Sequence, residues 1–237
     1  MLQGLIWGYG IILAYFLVSA GLALVIRHLI PIPREVFRKS LHLIVLGSVF
    51  GWVYAFATWW MAVLALIIFV AMVLPLLHLA QGCPGYSELL VERRPGEIKN
   101  SLVTVSAMLI ILITVCWGHL GQKYLVIASV AAWGLGDAAA ALVGKRFGKH
   151  HIEGKRVEGR KSLEGTISMF VVSFFSVLIV LLANGSLRSG YLPVSFVTAA
   201  VSAVVELYTR GGMDTITCPL AASSVLIPMV YLWGGLR

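Results

Sequence analysis

Long apolar runs separated by short polar segments make up most of the chain. A membrane-crossing helix needs about 17–25 mostly apolar residues. Eight stretches meet that need, at about 4–26, 41–57, 59–79, 101–118, 123–143, 166–183, 191–208 and 216–234. Pro and Gly mark the connections: Pro31 and Pro33, Pro84 and Gly85, Pro95 and Gly96, Gly211 and Gly212. The second and third runs meet at Thr58-Trp59-Trp60, which fits an interfacial aromatic anchor. The first run has no basic leader and is too long for a cleaved signal peptide, so it is expected to be a retained span. The pattern predicts an all-α polytopic membrane protein with about eight transmembrane helices, residues 1–237 forming one integral membrane domain.

Composition removes the soluble alternatives. Apolar residues are 59% of the chain, charged residues 12%, and the mean hydropathy is +0.94. A soluble domain carries about a quarter charged residues. Cys83, Cys116 and Cys218 are far apart and form no CxxC pair, which argues against a disulfide framework or a zinc site.

The charges are distributed asymmetrically. Of the 18 basic residues, all but Lys123, Arg188 and Arg237 lie in the connections after spans 1, 3, 5 and 7. Basic connections stay cytoplasmic, so the charged loops are expected inside and both termini outside. The acids fall on the same face. Glu35, Glu88, Glu92, Glu97, Glu153, Glu158, Glu164 and Asp214 lie in those connections, and Asp137 and Glu206 sit in spans near the ends that face them. Topology does not require this of acids. One-sided acids and bases imply a surface where anionic substrates and metal ions arrive. The net charge of +8 is therefore better matched to phosphates at a membrane face than to nucleic acid.

Asp137 is the most informative residue. A carboxylate inside a span costs a few kcal/mol and usually marks function. It follows Gly136 and precedes four alanines, and such small residues admit close approach of a helix or ligand. It reads as a Mg²⁺ ligand beside nucleotide phosphate, or as a packing acid paired with a buried base such as His42. The stretch GKRFGKHHIEGKRVEGRKSLEGT follows, where glycines interleaved with cations suit phosphate contacts. Gly154 to Ser162 nearly spells a P-loop, but has one residue too many and follows a helix rather than a strand. Ordinary positive-inside anchoring accounts for about half of these cations. Thr166 is a candidate cap for the next helix. His150 and His151 read as part of a solvated loop rather than a metal site. The connection from Gly82 to Ser101 is expected to fold over the cytoplasmic face, with Glu97, Lys99 and Asn100 at the mouth of span 4.

GDAAAALVGKRFG followed by KSLEGT resembles the CTP-dependent lipid-alcohol kinases, the family of phytol, dolichol and CTP-using diacylglycerol kinases. RKSLH at Arg38 to His42 resembles the family's Arg-Lys-x-x-His. MDTITCPL at Met213 to Leu220 resembles its Asp-Asn-x-Thr-x-Pro, with Glu206 upstream. The resemblance runs from about residue 34 to the C-terminus. Thr215 stands where the family usually has Asn, so that side-chain amide is absent.

The resemblance implies phosphoryl transfer from CTP to a membrane alcohol with Mg²⁺. Phosphoryl transfer depends on alignment and charge neutralisation. On this reading Asp137 and Asp214 hold the metal, and Lys145, Arg146 and Lys161 neutralise phosphate charge. Ser162, Arg38, Lys39, Asn100 and Thr217 are further nucleotide contacts. Glu164 or Glu206 takes the hydroxyl proton, with His42 as a rival base. The partners expected are a lipid alcohol, a nucleoside triphosphate and the bilayer; no nucleic acid is expected, and a homodimer is left open. The competing readings are a cytidylyltransferase that makes a CDP-lipid, an ion-coupled transporter using Asp137 and Glu206, and a membrane scaffold. The transporter lacks a sign of two repeated halves, and the scaffold leaves the acids unexplained.

Overall fold

The computed structural model describes residues 2–82, 86, 91–92, 96–152, 157, 161–185 and 189–234. Among these, eight helices are long and apolar enough to cross a membrane. They are α1 (Leu2–Leu29), α2 (Arg34–Tyr54), α3 (Trp59–Ala80), α4 (Glu97–Leu112), α5 (Lys123–Phe147), α6 (Leu163–Asn184), α7 (Tyr191–Tyr208) and α8 (Asp214–Leu232). A π-helical stretch, Ile113–His119, continues α4. No strand occurs among the described residues; His151 and Ser162 form an isolated antiparallel bridge. Much of the 82–101 connection and most of 153–160, including Glu153 and the near-P-loop glycines, lie outside the described residues.

The helices match the eight apolar runs, but several extend beyond them. α2 begins at Arg34 rather than 41, α5 continues to Phe147 rather than 143, and α6 begins at Leu163 rather than 166. The reason is local. Apolarity stops where the chain leaves hydrocarbon, but backbone hydrogen bonding continues into the polar turn beyond it. Lys145 and Arg146 therefore belong to the last turn of α5, where cations favour the negative helix end.

The chain divides into two compact units, Met1–Thr114 and Val115–Arg237. In the first, α1 packs on α2 and α3 on α4. Trp52 lies edge-on to Phe69 at 5.6 Å and stacks with Phe56 at 6.1 Å, and Phe69 stacks on Phe16 at 5.1 Å. A Cβ at Gly51 would fall 2.6 Å from Ile12 Cδ1, so this glycine lets α1 approach α2 closely.

In the second unit α5 packs on α6, α6 on α7, α7 on α8, and α8 back on α5. α5 is the central helix, buried almost continuously from Tyr124 to Trp133. Its contact with α6 is a seam of small residues. A Cβ on Gly136 would strike Ser173 Oγ, and one on Gly165 would lie 3.0 Å from the Ala140 carbonyl oxygen and 3.4 Å from Gly144 Cα. Ser173 Oγ donates to the Ala132 carbonyl at 2.6 Å across the same seam. Without a hydrophobic drive between helices in lipid, such close backbone approach and cross-helix hydrogen bonding supply the attraction.

Candidate active site

The second unit brings together four of the charged residues singled out above. Ser162 is the N-cap of α6; its hydroxyl accepts from the Gly165 N–H at 3.1 Å, and it is buried against Gly144 and Gly165. The cap is thus Ser162 and not Thr166, whose N–H bonds back to the Ser162 carbonyl. Both residues carry the cap signal of a hydroxyl before an apolar run. The backbone turn chooses the earlier one because Gly165 must press on α5.

The cap aims the residue before it. Lys161 Nζ lies 2.9 Å from Glu206 Oε1 and also donates to the backbone oxygens of Glu206 and, at 3.4 Å, Thr209. These carbonyls end α7, so the ammonium sits at a helix C-terminus, where positive charge is favoured. The pair is mostly covered, with Lys161 20% and Glu206 12% exposed.

The α7–α8 turn closes the other side. Gly211 and Gly212 both adopt positive φ, at 64° and 79°, a region costly for other residues. Their turn brings Thr209 Oγ1 to 3.0 Å from Thr217 Oγ1, and Asp214 opens α8 just after it. Thr217 also donates to the Met213 carbonyl at 2.9 Å. Asp137 on α5, Glu206 on α7 and Asp214 on α8 stand on three helices that pack on one another. Three carboxylates therefore lie on mutually packed helices, and one of them, Glu206, meets the Lys161 ammonium. Asp137 and Asp214 are half-buried. Among the described residues no three His, Cys, Asp or Glu side chains form a ready metal cage.

Glu164 is engaged elsewhere. Its carboxylate lies 2.7 Å from His150 Nδ1 and accepts from the His150 backbone N–H at 3.3 Å. Lys145 and Arg146 are exposed at the end of α5, with the Arg146 guanidinium 5.4 Å from the centre of the Phe147 ring. The remaining sequence candidates lie in the first unit. Arg38 pairs with Glu35 one turn earlier on α2, Lys39 is buried, His42 is half-buried in the third turn of the same helix, and Asn100 is exposed near the start of α4. The burial of Lys39 departs from a plain solvent-facing anchor. His150 lies in the solvated loop expected for it, with its side chain 75% exposed. Its pairing with Glu164, fourteen positions away, has no periodic signature in the sequence.

The chain is 31% identical over 212 residues to the phytol kinase of Synechocystis sp., an alignment covering 86% of this chain and 83% of that protein. No family model matches. No solved structure matches. The similarity is long enough to span both units. The chain belongs to the CTP-dependent lipid-alcohol kinase family that includes phytol kinase, and it is a membrane phosphotransferase whose acceptor is the alcohol group of a lipid.

Proposed function

We propose that the protein transfers the γ-phosphate of CTP to the hydroxyl of an isoprenoid alcohol of the phytol or polyprenol type, at the cytoplasmic face of its membrane. The observation that carries this reading is the Lys161–Glu206 ion pair in the second unit, with Asp137 and Asp214 on the two helices, α5 and α8, that pack on the helix of Glu206. Carboxylates carried by three packed helices suit a divalent cation. The donors are hard carboxylate oxygens, the type magnesium takes alongside phosphate. Asp137 and Asp214 would hold the Mg²⁺, which when bound supplies charge neutralisation on the triphosphate oxygens.

The chain's own residues supply the rest. Lys161, already fixed by the α6 cap and by the end of α7, offers a cation to the transferring phosphate. Lys145 and Arg146 add positive charge from the last turn of α5. Glu206 is the base that takes the lipid hydroxyl proton: its helix packs on those carrying Asp137 and Asp214, and its pairing with Lys161 is given up as that ammonium turns to the phosphate, whereas Glu164 is paired with His150 apart from this group. The one-sided basic connections support a cytoplasmic site. The name of the Synechocystis relative supports phytol among the acceptors.

Purified protein is incubated with CTP or ATP and a panel of phytol, polyprenols and diacylglycerol. Release of CDP with a phosphorylated isoprenoid is expected. Release of pyrophosphate would instead identify a cytidylyltransferase, and preference for diacylglycerol would replace the proposed acceptor.

A further inference from the structure

The two ends of the segment linking α5 to α6 are tied to each other, although the His150 side chain is 75% exposed. After Phe147 the chain passes Gly148, where a Cβ would strike the Gly144 carbonyl oxygen and lie 2.7 Å from Ser162 Oγ. The two ends of the segment then pair. Ile152 N–H donates to the Lys161 carbonyl at 2.8 Å, and Leu163 N–H donates to the His150 carbonyl at 2.9 Å. Glu164 reaches from the first turn of α6 to His150, accepting from both its backbone N–H and its Nδ1. Lys161, the residue that meets Glu206, lies inside this paired root.

We infer that His150 is a positioning residue, clamped by Glu164, that fixes the root of the basic segment and so holds Lys161 against the nucleotide site. The physical reason is one of tethering. A lysine on a free strand would lose side-chain and backbone freedom each time it met phosphate. Pairing 150–152 with 161–163 removes much of that freedom in advance. An ionised carboxylate only accepts hydrogen bonds, so Nδ1 carries the proton and donates to Glu164. Glu164 also places negative charge in the first turn of α6, where the helix dipole favours it. This assignment gives Glu164 a structural partner in place of the proton-abstracting role its sequence position allowed. Its kinetic consequence rests on the nucleotide site proposed above; its effect on the backbone does not.

Two measurements on the full chain in nanodiscs test it, using His150→Ala, Glu164→Ala, the double variant and His150→Asn. Asparagine returns a donor near the position of Nδ1. Hydrogen exchange at the Ile152 and Leu163 amides should quicken about tenfold in His150→Ala, the scale of one lost hydrogen-bonded contact, and at least as much in Glu164→Ala, which also loses the acceptor of the His150 backbone N–H. It should quicken no further in the double variant and should return toward the parent rate with asparagine. Steady-state kinetics should show nucleotide KM raised about fivefold with kcat within about twofold, a loss of ground-state positioning. Unchanged exchange at both amides overturns the clamp whether or not the protein proves to be a CTP kinase. A collapse of kcat in Glu164→Ala with His150→Ala silent also overturns it, by showing that the carboxylate acts alone. Normal exchange effects in a protein that phosphorylates no alcohol would leave the clamp standing and sink the kinase proposal.

Discussion

Lys161 is held by a carboxylate and two helix-end carbonyls, and these partners define what its replacement would do. Lys161→Met keeps most of the length and loses the charge. It leaves Glu206 without its cation and takes the ammonium away from the α7 carbonyls, of which that of Glu206 keeps the Thr209 N–H. We expect kcat to fall about 100-fold or more, the scale seen when one charge-stabilising donor is removed from a reacting group. Asp137→Asn should likewise lower kcat about 100-fold while helical content and detergent-phase gel filtration stay unchanged. Wild-type turnover in that variant would remove Asp137 from the metal site. A titration of activity with Mg²⁺ separates the two residues: Asp137→Asn should need a higher metal concentration, and Lys161→Met should not.

At the scale of elements, the α5–α6 seam decides whether these side chains meet. Gly136, Gly144 and Gly165 are needed because a neighbouring backbone or hydroxyl occupies the space where a side chain would go. Gly165→Val should destabilise the second unit by about 1–3 kcal/mol, the usual range for overpacking. Denaturant titration in mixed micelles measures this, and activity should fall with it because Lys161 is four residues away. Ser173→Ala removes a single cross-helix hydrogen bond and should cost only about 0.6 kcal/mol. The small effect of Ser173→Ala beside the large one of Gly165→Val would show that shape rather than polarity holds the seam. The π-helical end of α4 was not foreseen as such. Ile113–His119 has the apolar composition of an ordinary span, and the wider hydrogen-bond step is not encoded by apolarity.

For the whole molecule, the asymmetry of charge predicts topology. Cysteine introduced at Lys149, in a background without the native cysteines, should react with an impermeant thiol reagent only from the cytoplasmic side. Reaction from outside alone would invert the arrangement and place the proposed site on the opposite face.

The amino-acid sequence alone determined the eight spans, because a length of apolar chain can satisfy its backbone in lipid only as a helix. It also determined that Asp137 was unusual, because a carboxylate in an apolar run has few structural excuses. It located helix ends less well, since apolarity marks the membrane boundary and not the last hydrogen bond. Only the tertiary structure decided that Lys161 faces Glu206, forty-five positions on, that Ser162 rather than Thr166 is the cap, and that Glu164 answers to His150. Those pairings depend on which helix faces meet, and that is set by the glycine seam and the α7–α8 turn acting together rather than by any local run of residues.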